Sequence, residues 1–328
     1  GIRDAQESRG LGDVYKRQSA DRWDEYKEPV RTALCDRGLT FSLVTEGDPK
    51  SIDYIIYAPN SGLTDFTPYT NCRAVLNLWA GVENIVGNET LTMPLARMVD
   101  HGMTRGMVEW VTGHTLRHHL GMDAHVSGQD GQWRGAIAPL AYARPVTILG
   151  MGALGQACAE ALTHLEFPVT GWGRTPKQMP GITVLNGQDQ LQLALETAQI
   201  VILLMPLTDQ THHIMNAERL ACLPKGAILI NPGRGQLIDD IALLQALESN
   251  HLAHATLDVF DIEPLPPTHA FWHHPKVTVT PHIASSTRPD SASRVIADNI
   301  LRSVQAVSYT HLRAHETPEH LVCRLLLE

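Results

Sequence analysis

The sequence predicts an α/β protein organised on a doubly wound parallel sheet, and two observations predict it. The apolar run Val146-Thr147-Ile148-Leu149 passes without a break into Gly150-Met151-Gly152-Ala153-Leu154-Gly155, after which Gln156 to Leu165 takes helical apolar spacing. Short apolar strands then alternate with helical segments as far as Thr280, the pattern of parallel strands covered on both faces. In the glycine turn, Gly150 permits the bend, Gly152 lets a pyrophosphate approach the backbone, and Gly155 lets the helix pack close to the sheet. The helix N-terminus offers N–H groups to the phosphates, so the turn predicts dinucleotide binding.

In chain order, Trp23, Tyr26, Val30, Ala33 and Leu34 have amphipathic spacing, which predicts a helix from Asp21 to Arg37 that stops at Gly38. Strands are expected at 39–45, 54–58 and 74–78, separated by Gly, Pro, Asn and Asp, and with the helix they make a small α/β unit. The third strand delivers Trp79-Ala80-Gly81-Val82-Glu83, where backbone N–H groups around Gly81 could face an anion or simply form a turn. One long helix is expected from Met103 to about His125, with a loop over 133–144. After the glycine turn the sequence predicts strands at 169–172, 200–205, 227–231, 255–259 and 277–280, and helices at 190–197, 217–223 and 239–251.

Composition narrows the classes. The 328 residues suffice for two domains and a large core, and 43% hydrophobic with 19% charged residues excludes a disordered chain. A net charge of -9 argues against a nucleic-acid surface, which needs clustered Lys and Arg. The five cysteines are odd in number and scattered, as expected of reduced thiols in the cytoplasm. No run reaches the length of a membrane span, and no secretory leader is evident. His114 and His118 stand four apart, but no third ligand completes a shell, and His212-His213 and His273-His274 fare no better, so no metal site is predicted.

The strand at 169–172 bears on the cofactor. An NAD-preferring site carries an acidic residue near the end of this strand for the ribose 2′-OH. From Phe167 to Gln188 there is no Asp or Glu, and Trp172-Gly173-Arg174-Thr175-Pro176-Lys177 follows instead. A guanidinium, a hydroxyl and an ammonium suit a 2′-phosphate, so NADP(H) is the expected cofactor, with NAD(H) as the alternative. Met151, Ala153, Leu154, Met205, Pro206, Asn231, Pro232, Gly233 and Asp258 lie in the turn or at strand ends and complete the expected cofactor-binding set.

Three further strand ends carry chemistry: Asn231-Pro232-Gly233-Arg234-Gly235, Asp258 through Glu263-Pro264, and Thr280-Pro281-His282. Ligands of open α/β sheets bind beyond the carboxyl ends of strands. Arg234 can hold a carboxylate and polarise the neighbouring ketone. His282 as imidazolium can give a proton to a carbonyl oxygen, and Glu263 on the far ring nitrogen would favour that charged form. Singly, each admits a structural role; together they predict the reduction of a 2-oxo acid.

These segments, with Thr280-Pro281-His282-Ile283-Ala284 and Leu257-Asp258-Val259-Phe260, resemble the signatures of D-2-hydroxyacid dehydrogenases over essentially residues 19–306. Gly171-Trp172-Gly173-Arg174-Thr175 resembles the NADP-preferring glyoxylate/hydroxypyruvate reductase branch, and residues 79–83 resemble the loop whose amides bind the substrate carboxylate. The family usually has Gly where Trp79 stands and Asp where Glu83 stands. The resemblance implies Arg234, Glu263 and His282 as the catalytic trio, and Trp79, Ala80, Gly81, Val82, Arg234 and His282 as substrate-binding residues. It also implies a Rossmann cofactor domain inserted into a smaller flavodoxin-like substrate domain, cleft closure, and a homodimer built on the segment around Met103–Trp133. The alternatives are an NAD-dependent dehydrogenase of a larger hydroxy acid and a catalytically silent nucleotide-sensing regulator.

Residues 8–18 and 307–317 resemble translations of one sequencing adapter, since each can be encoded by the reverse complement of DNA encoding the other. The expected division is therefore flanks at 1–18 and 307–328, a substrate domain at 19–98 and 285–306, and a dinucleotide-binding domain at 99–284. The initial strand of the substrate domain is expected to be missing.

Overall fold

The computed structural model describes residues 13–17, 23–58, 61–82, 85–133 and 135–305. The chain divides into one unit of Gly1–Met103 with Thr287–Glu328 and a second of Thr104–Ser286, where the sequence-based division crosses at residues 98 and 284.

The first unit contains β1 (Asp13–Arg17), α1 (Trp23–Asp36), β2 (Ser42–Val44), β3 (Ile52–Tyr57), β4 (Ala74–Asn77) and β5 (Leu95–Ala96). Its sheet is wholly parallel in the order β2-β1-β3-β4-β5, the flavodoxin-like arrangement. Helix α1 ends in a Schellman motif: Gly38 at φ 66° donates to Cys35 O, and Leu39 N reaches back to Leu34 O at 3.2 Å. Strand alternation decides the two cores. Tyr54 and Ile56 pack with Val30 and Leu34 of α1 on one face, while Ile55 and Tyr57 meet Phe66, Ile85 and Leu91 on the other.

Asp13–Arg17 lies in the segment that the sequence sets outside the fold, yet it pairs with both β2 and β3 in the place where a first strand was expected to be missing. The physical reason is that ladder bonds are made by backbone groups, which any extended non-proline stretch carries. The side-chain pattern does not weigh on that requirement. The two-residue strand β5 was not predicted either, being shorter than any periodic signal.

The second unit begins within α2 (His101–His119) and continues through α3 (Met122–Ser127), β6 (Val146–Leu149), α4 (Ala153–His164), β7 (Val169–Gly173), β8 (Thr183–Asn186), α5 (Leu191–Glu196), β9 (Ile200–Leu203), α6 (Ala217–Ala221), β10 (Ala227–Asn231), α7 (Asp240–Glu248), β11 (Leu252–Leu257) and β12 (Val277–Val279). The chain then returns to the first unit as α8 (Pro289–Val304), whose Ala292, Ile296 and Ile300 join the α1 core. The seven-stranded sheet has the order β12-β11-β10-β9-β6-β7-β8, every pair parallel, so the strand order reverses between β6 and β9. That switch point is where doubly wound sheets bind ligands.

Two expectations are corrected here. The single helix from Met103 to His125 is two helices, because Gly121 at φ 64° breaks the run. Strand β8 was missed because it is a partly exposed edge strand and lacks the continuous apolar run of β6, β9 and β10.

Candidate active site

Strand register brings the loops together. Leu149 is level with both Trp172 and Leu203, Asn231 with Leu257, and Leu257 with Val279, so the loops after β6, β7, β9, β10, β11 and β12 leave one edge of the sheet.

At the switch point, Gly150 adopts φ 111°, and a Cβ there would stand 2.5 Å from the Leu204 carbonyl carbon. A Cβ on Gly155 would fall 1.9 Å from Gly150 O, so close packing of helix on turn demands glycine. At Gly152 a Cβ would meet nothing within 4 Å, and packing within the protein makes no such demand. Helix α4 starts at Ala153 with Gly152 as its N-cap and no side-chain cap, which leaves its first N–H groups to other acceptors. Arg174 and Thr175 are exposed in the loop after β7, whereas Lys177 is half-buried with Nζ 2.6 Å from Met151 O. Met205 and Pro206 follow β9.

Buried polar residues hold the loops after β10 and β11. Asn231, fully buried, accepts from Gly233 N at 3.0 Å and donates to Arg234 O at 2.8 Å, which closes the turn that presents Arg234. A Cβ on Gly235 would stand 2.0 Å from the Phe260 carbonyl carbon, so only glycine lets these two loops touch. Asp258, also fully buried, accepts from Thr280 Oγ1 (2.6 Å), Ile283 N (2.9 Å) and Ala284 N (2.8 Å). Burial nevertheless raises its pKa, against those hydrogen bonds and the nearby His282 charge.

That carboxylate fixes the loop carrying His282, whose own N–H donates to Asp258 O at 2.8 Å and whose φ is 54°. A histidine in the left-handed region costs about 1–3 kcal/mol and persists only where surrounding bonds impose it. The result is a direct pair: His282 Nδ1 lies 2.7 Å from Glu263 Oε2, and Glu263 Oε1 accepts from Phe260 N at 2.9 Å. The hydrogen bond to Glu263 raises the His282 pKa, opposed by burial and by the positive charge of Arg234. Burial would raise Glu263, but the His282 bond, the Phe260 N–H and the charges of His282 and Arg234 outweigh it and hold the carboxyl below its ordinary range. With Nδ1 turned to Glu263, Nε2 is the outward nitrogen that can give up a proton.

Arg234, Glu263 and His282 are thus brought within electrostatic reach of one another on three neighbouring loops. Three residues grouped above with the cofactor also support loops. Asn231 closes its own loop, Asp258 holds the neighbouring loop that carries His282, and buried Trp172 donates to Gly187 O at 2.9 Å. Thr280 and Gln156 take part through partners that only the fold supplies. The His118 and His254 rings lie tilted at 45° with centroids 4.8 Å apart, and His118 bonds Thr256 Oγ1 at 2.8 Å.

In the first unit, Asn77 Nδ2 donates to Trp79 O at 2.9 Å and to Gly81 O at 2.8 Å. Because C=O and the following N–H point oppositely across a trans peptide, this turns the Ala80 and Val82 N–H groups away from Asn77. Trp79 is exposed, Val82 is buried, and Glu83 lies outside the described residues.

The profile of the D-isomer specific 2-hydroxyacid dehydrogenase NAD binding domain matches residues 112–284. Glyoxylate/hydroxypyruvate reductase A of Serratia proteamaculans is 38% identical over 289 residues, covering 85% of this chain and 89% of that protein. The chain belongs to the D-2-hydroxyacid dehydrogenase family. Glyoxylate/hydroxypyruvate reductase A of Yersinia enterocolitica is 36% identical, over 80% of this chain and 84% of its own. Among solved structures, a D-isomer specific 2-hydroxyacid dehydrogenase from Xanthobacter autotrophicus Py2, in complex with NADPH and MES, superposes with a TM-score of 0.85 at 34% identity, covering 93% of this chain and 99% of that one. The NADPH-dependent glyoxylate/hydroxypyruvate reductase of Sinorhizobium meliloti, with NADP and sulfate, gives 0.80 at 29% identity, over 92% and 98%. As a 2-hydroxyacid dehydrogenase the protein is an oxidoreductase with an α/β NAD-binding domain. Among the described residues no helix is long and apolar enough to cross a membrane, and no group of three or more His, Cys, Asp or Glu could hold a metal ion.

Proposed function

We propose that the protein reduces small 2-oxo acids with NADPH, glyoxylate to glycolate and hydroxypyruvate to glycerate. The observation that carries this is the His282–Glu263 pair at 2.7 Å, with the charge of Arg234 beside it, on the same sheet edge as the glycine turn. The turn fits a dinucleotide: Gly150 and Gly155 are demanded by packing, while Gly152, which packing leaves unexplained, suits the close approach of a pyrophosphate. Met151, Ala153, Leu154, Met205, Pro206, Pro232 and Gly233 would line the cofactor's path, and Arg234, Trp79, Ala80, Gly81 and Val82 would hold the substrate.

When bound, the nicotinamide supplies the hydride. Arg234 would pair with the substrate carboxylate through two guanidinium N–H groups. His282 gives a proton from Nε2 to the carbonyl oxygen, and Glu263 stabilises the imidazolium needed for that step. Arg174 and Thr175, with no acidic residue between Phe167 and Gln188, favour the 2′-phosphate of NADPH over the diol of NADH.

The relatives named glyoxylate/hydroxypyruvate reductase and the NADPH-dependent neighbour support this choice of substrate and cofactor. Oxidation of NADPH and NADH with glyoxylate, hydroxypyruvate, pyruvate and phenylpyruvate tests it. Turnover confined to NADH and phenylpyruvate would favour the NAD-dependent alternative, and tight NADPH binding without any turnover would favour a nucleotide sensor.

A homodimer and a cytoplasmic setting complete the proposal. Trp133 and Ile137 are each 99% exposed, and Val126, Leu140 and Tyr142 are also open, an apolar stretch suited to a second copy. Light scattering of the protein with Trp133→Ser and Ile137→Ser should report a shift towards monomer. Cys72 and Cys158 are buried unpaired thiols, which suits a reducing compartment.

A further inference from the structure

The Met151 carbonyl accepts from two side chains on different elements. Lys177, beyond the end of β7, reaches it at 2.6 Å, and Gln156 in α4 at 3.1 Å. The same Gln156 amide lies 3.2 Å from Gly152 O, which also takes the helical N–H of Gln156 at 2.9 Å. Both carbonyls in the middle of the glycine turn are therefore anchored on the protein side. Since C=O and the next N–H are antiparallel across a trans peptide, anchoring Met151 O aims Gly152 N–H, and anchoring Gly152 O aims Ala153 N–H. Those amides head the helix that offers its N-terminus to phosphate. The Met151 side chain is immobilised as well, buried with Sδ where a Cβ on Gly171 would come within 2.5 Å.

We propose that Lys177 is a positioning residue of the glycine turn, acting with Gln156 through Met151 O, and does not ligate the 2′-phosphate. The inference rests on the dinucleotide site proposed above and assigns its parts differently. Discrimination between NADPH and NADH falls to Arg174 and Thr175, while Lys177 serves the pyrophosphate that both nucleotides share. A charge-assisted bond to a carbonyl is strong enough to orient a peptide plane.

The test is the Kd of the full chain for NADPH and for NADH, read by nucleotide fluorescence without oxo acid, in Lys177→Gln, Gln156→Leu and the double variant. Lys177→Gln should weaken both nucleotides in parallel, by about tenfold, with their ratio unchanged. The double variant should lose less than the product of the single losses, because both side chains serve one carbonyl. The apo melting temperature should stay near that of the parent. Weakening of NADPH alone in Lys177→Gln, or no weakening of either nucleotide, overturns the proposal. If Lys177→Gln fails to fold, Gln156→Leu asks the same question from the helix side: a parallel rise in both Kd values supports it, and unchanged values overturn it. A parent chain that binds NADPH but reduces no oxo acid would remove the reductase proposal alone, since this comparison needs only binding.

Discussion

His282 is held in a left-handed backbone conformation while its Nδ1 meets the Glu263 carboxylate at 2.7 Å. The backbone geometry is imposed by buried Asp258 and the ring is charged by the more exposed Glu263, so two carboxylates divide the work of placing one proton donor.

The first prediction concerns pH. The His282 pKa lies above its ordinary 6.5, so reduction should hold its rate beyond that pH and fall as pH rises through the raised value. Glu263→Gln should move this fall to lower pH, and His282→Ala should cost about 10²–10⁴ in kcat. Profiles of kcat/KM against pH check both, and an unmoved alkaline limb in Glu263→Gln would break the link between the two residues. Stability follows the same signs. The histidine contribution is whole below 6.5 and is lost as pH rises through the raised pKa; that of Glu263 is whole above 4.5 and is lost as pH falls through the lowered pKa. The pair should support the fold most between 4.5 and 6.5.

Gly152→Ala and Gly155→Ala should behave differently although both lie in the same turn. The Gly155 Cβ would strike Gly150 O, so this variant should lower apo stability by about 1–3 kcal/mol or more, seen as a reduced urea midpoint. The Gly152 Cβ meets no protein atom within 4 Å, so apo stability should stay level while NADPH binding weakens at least about tenfold.

Arg174→Ala should weaken NADPH by about tenfold and leave NADH nearly unchanged, the pattern of a lost phosphate contact. Equal losses for both nucleotides would remove Arg174 from the 2′-phosphate.

Asp258→Ala should lower both stability and turnover. It leaves the Ile283 and Ala284 N–H groups without their carboxylate and frees the loop that positions His282. An unmet buried donor costs about 1–3 kcal/mol, and melting temperature together with kcat reads the two effects.

Acid should act on the His118–His254 pair. Burial depresses these imidazoles, to about 3 for His118 and about 4 for His254; Arg117 and His114 add to the effect on both, His254 adds to it on His118 and His274 on His254, and Asp123 opposes it. An imidazole kept neutral in the folded chain makes stability fall as pH drops below its unfolded value of 6.5, and the fall ends once pH passes the depressed values. His254→Asn should flatten the dependence of the urea midpoint on pH between about 6 and 4.

Much of this was legible in the chain because it is written in local patterns. The four apolar residues of β6, the spacing of Gly150, Gly152 and Gly155, and the absence of any acid between Phe167 and Gln188 are properties of contiguous residues, and backbone sterics turn them into a strand, a turn and a helix start. The sequence by itself also supplied Arg234, Glu263 and His282 as chemistry at three strand ends. What it could not determine is which donor meets which acceptor. Asp258 beneath the His282 loop and Lys177 on Met151 O both depend on strand register and loop packing, which sum contacts between residues distant in sequence. The pairing of Asp13–Arg17 between β2 and β3 is of the same kind, since a sheet position is completed by backbone hydrogen bonds that no side-chain pattern announces. Local sterics determined the elements; only the tertiary structure decided their partners.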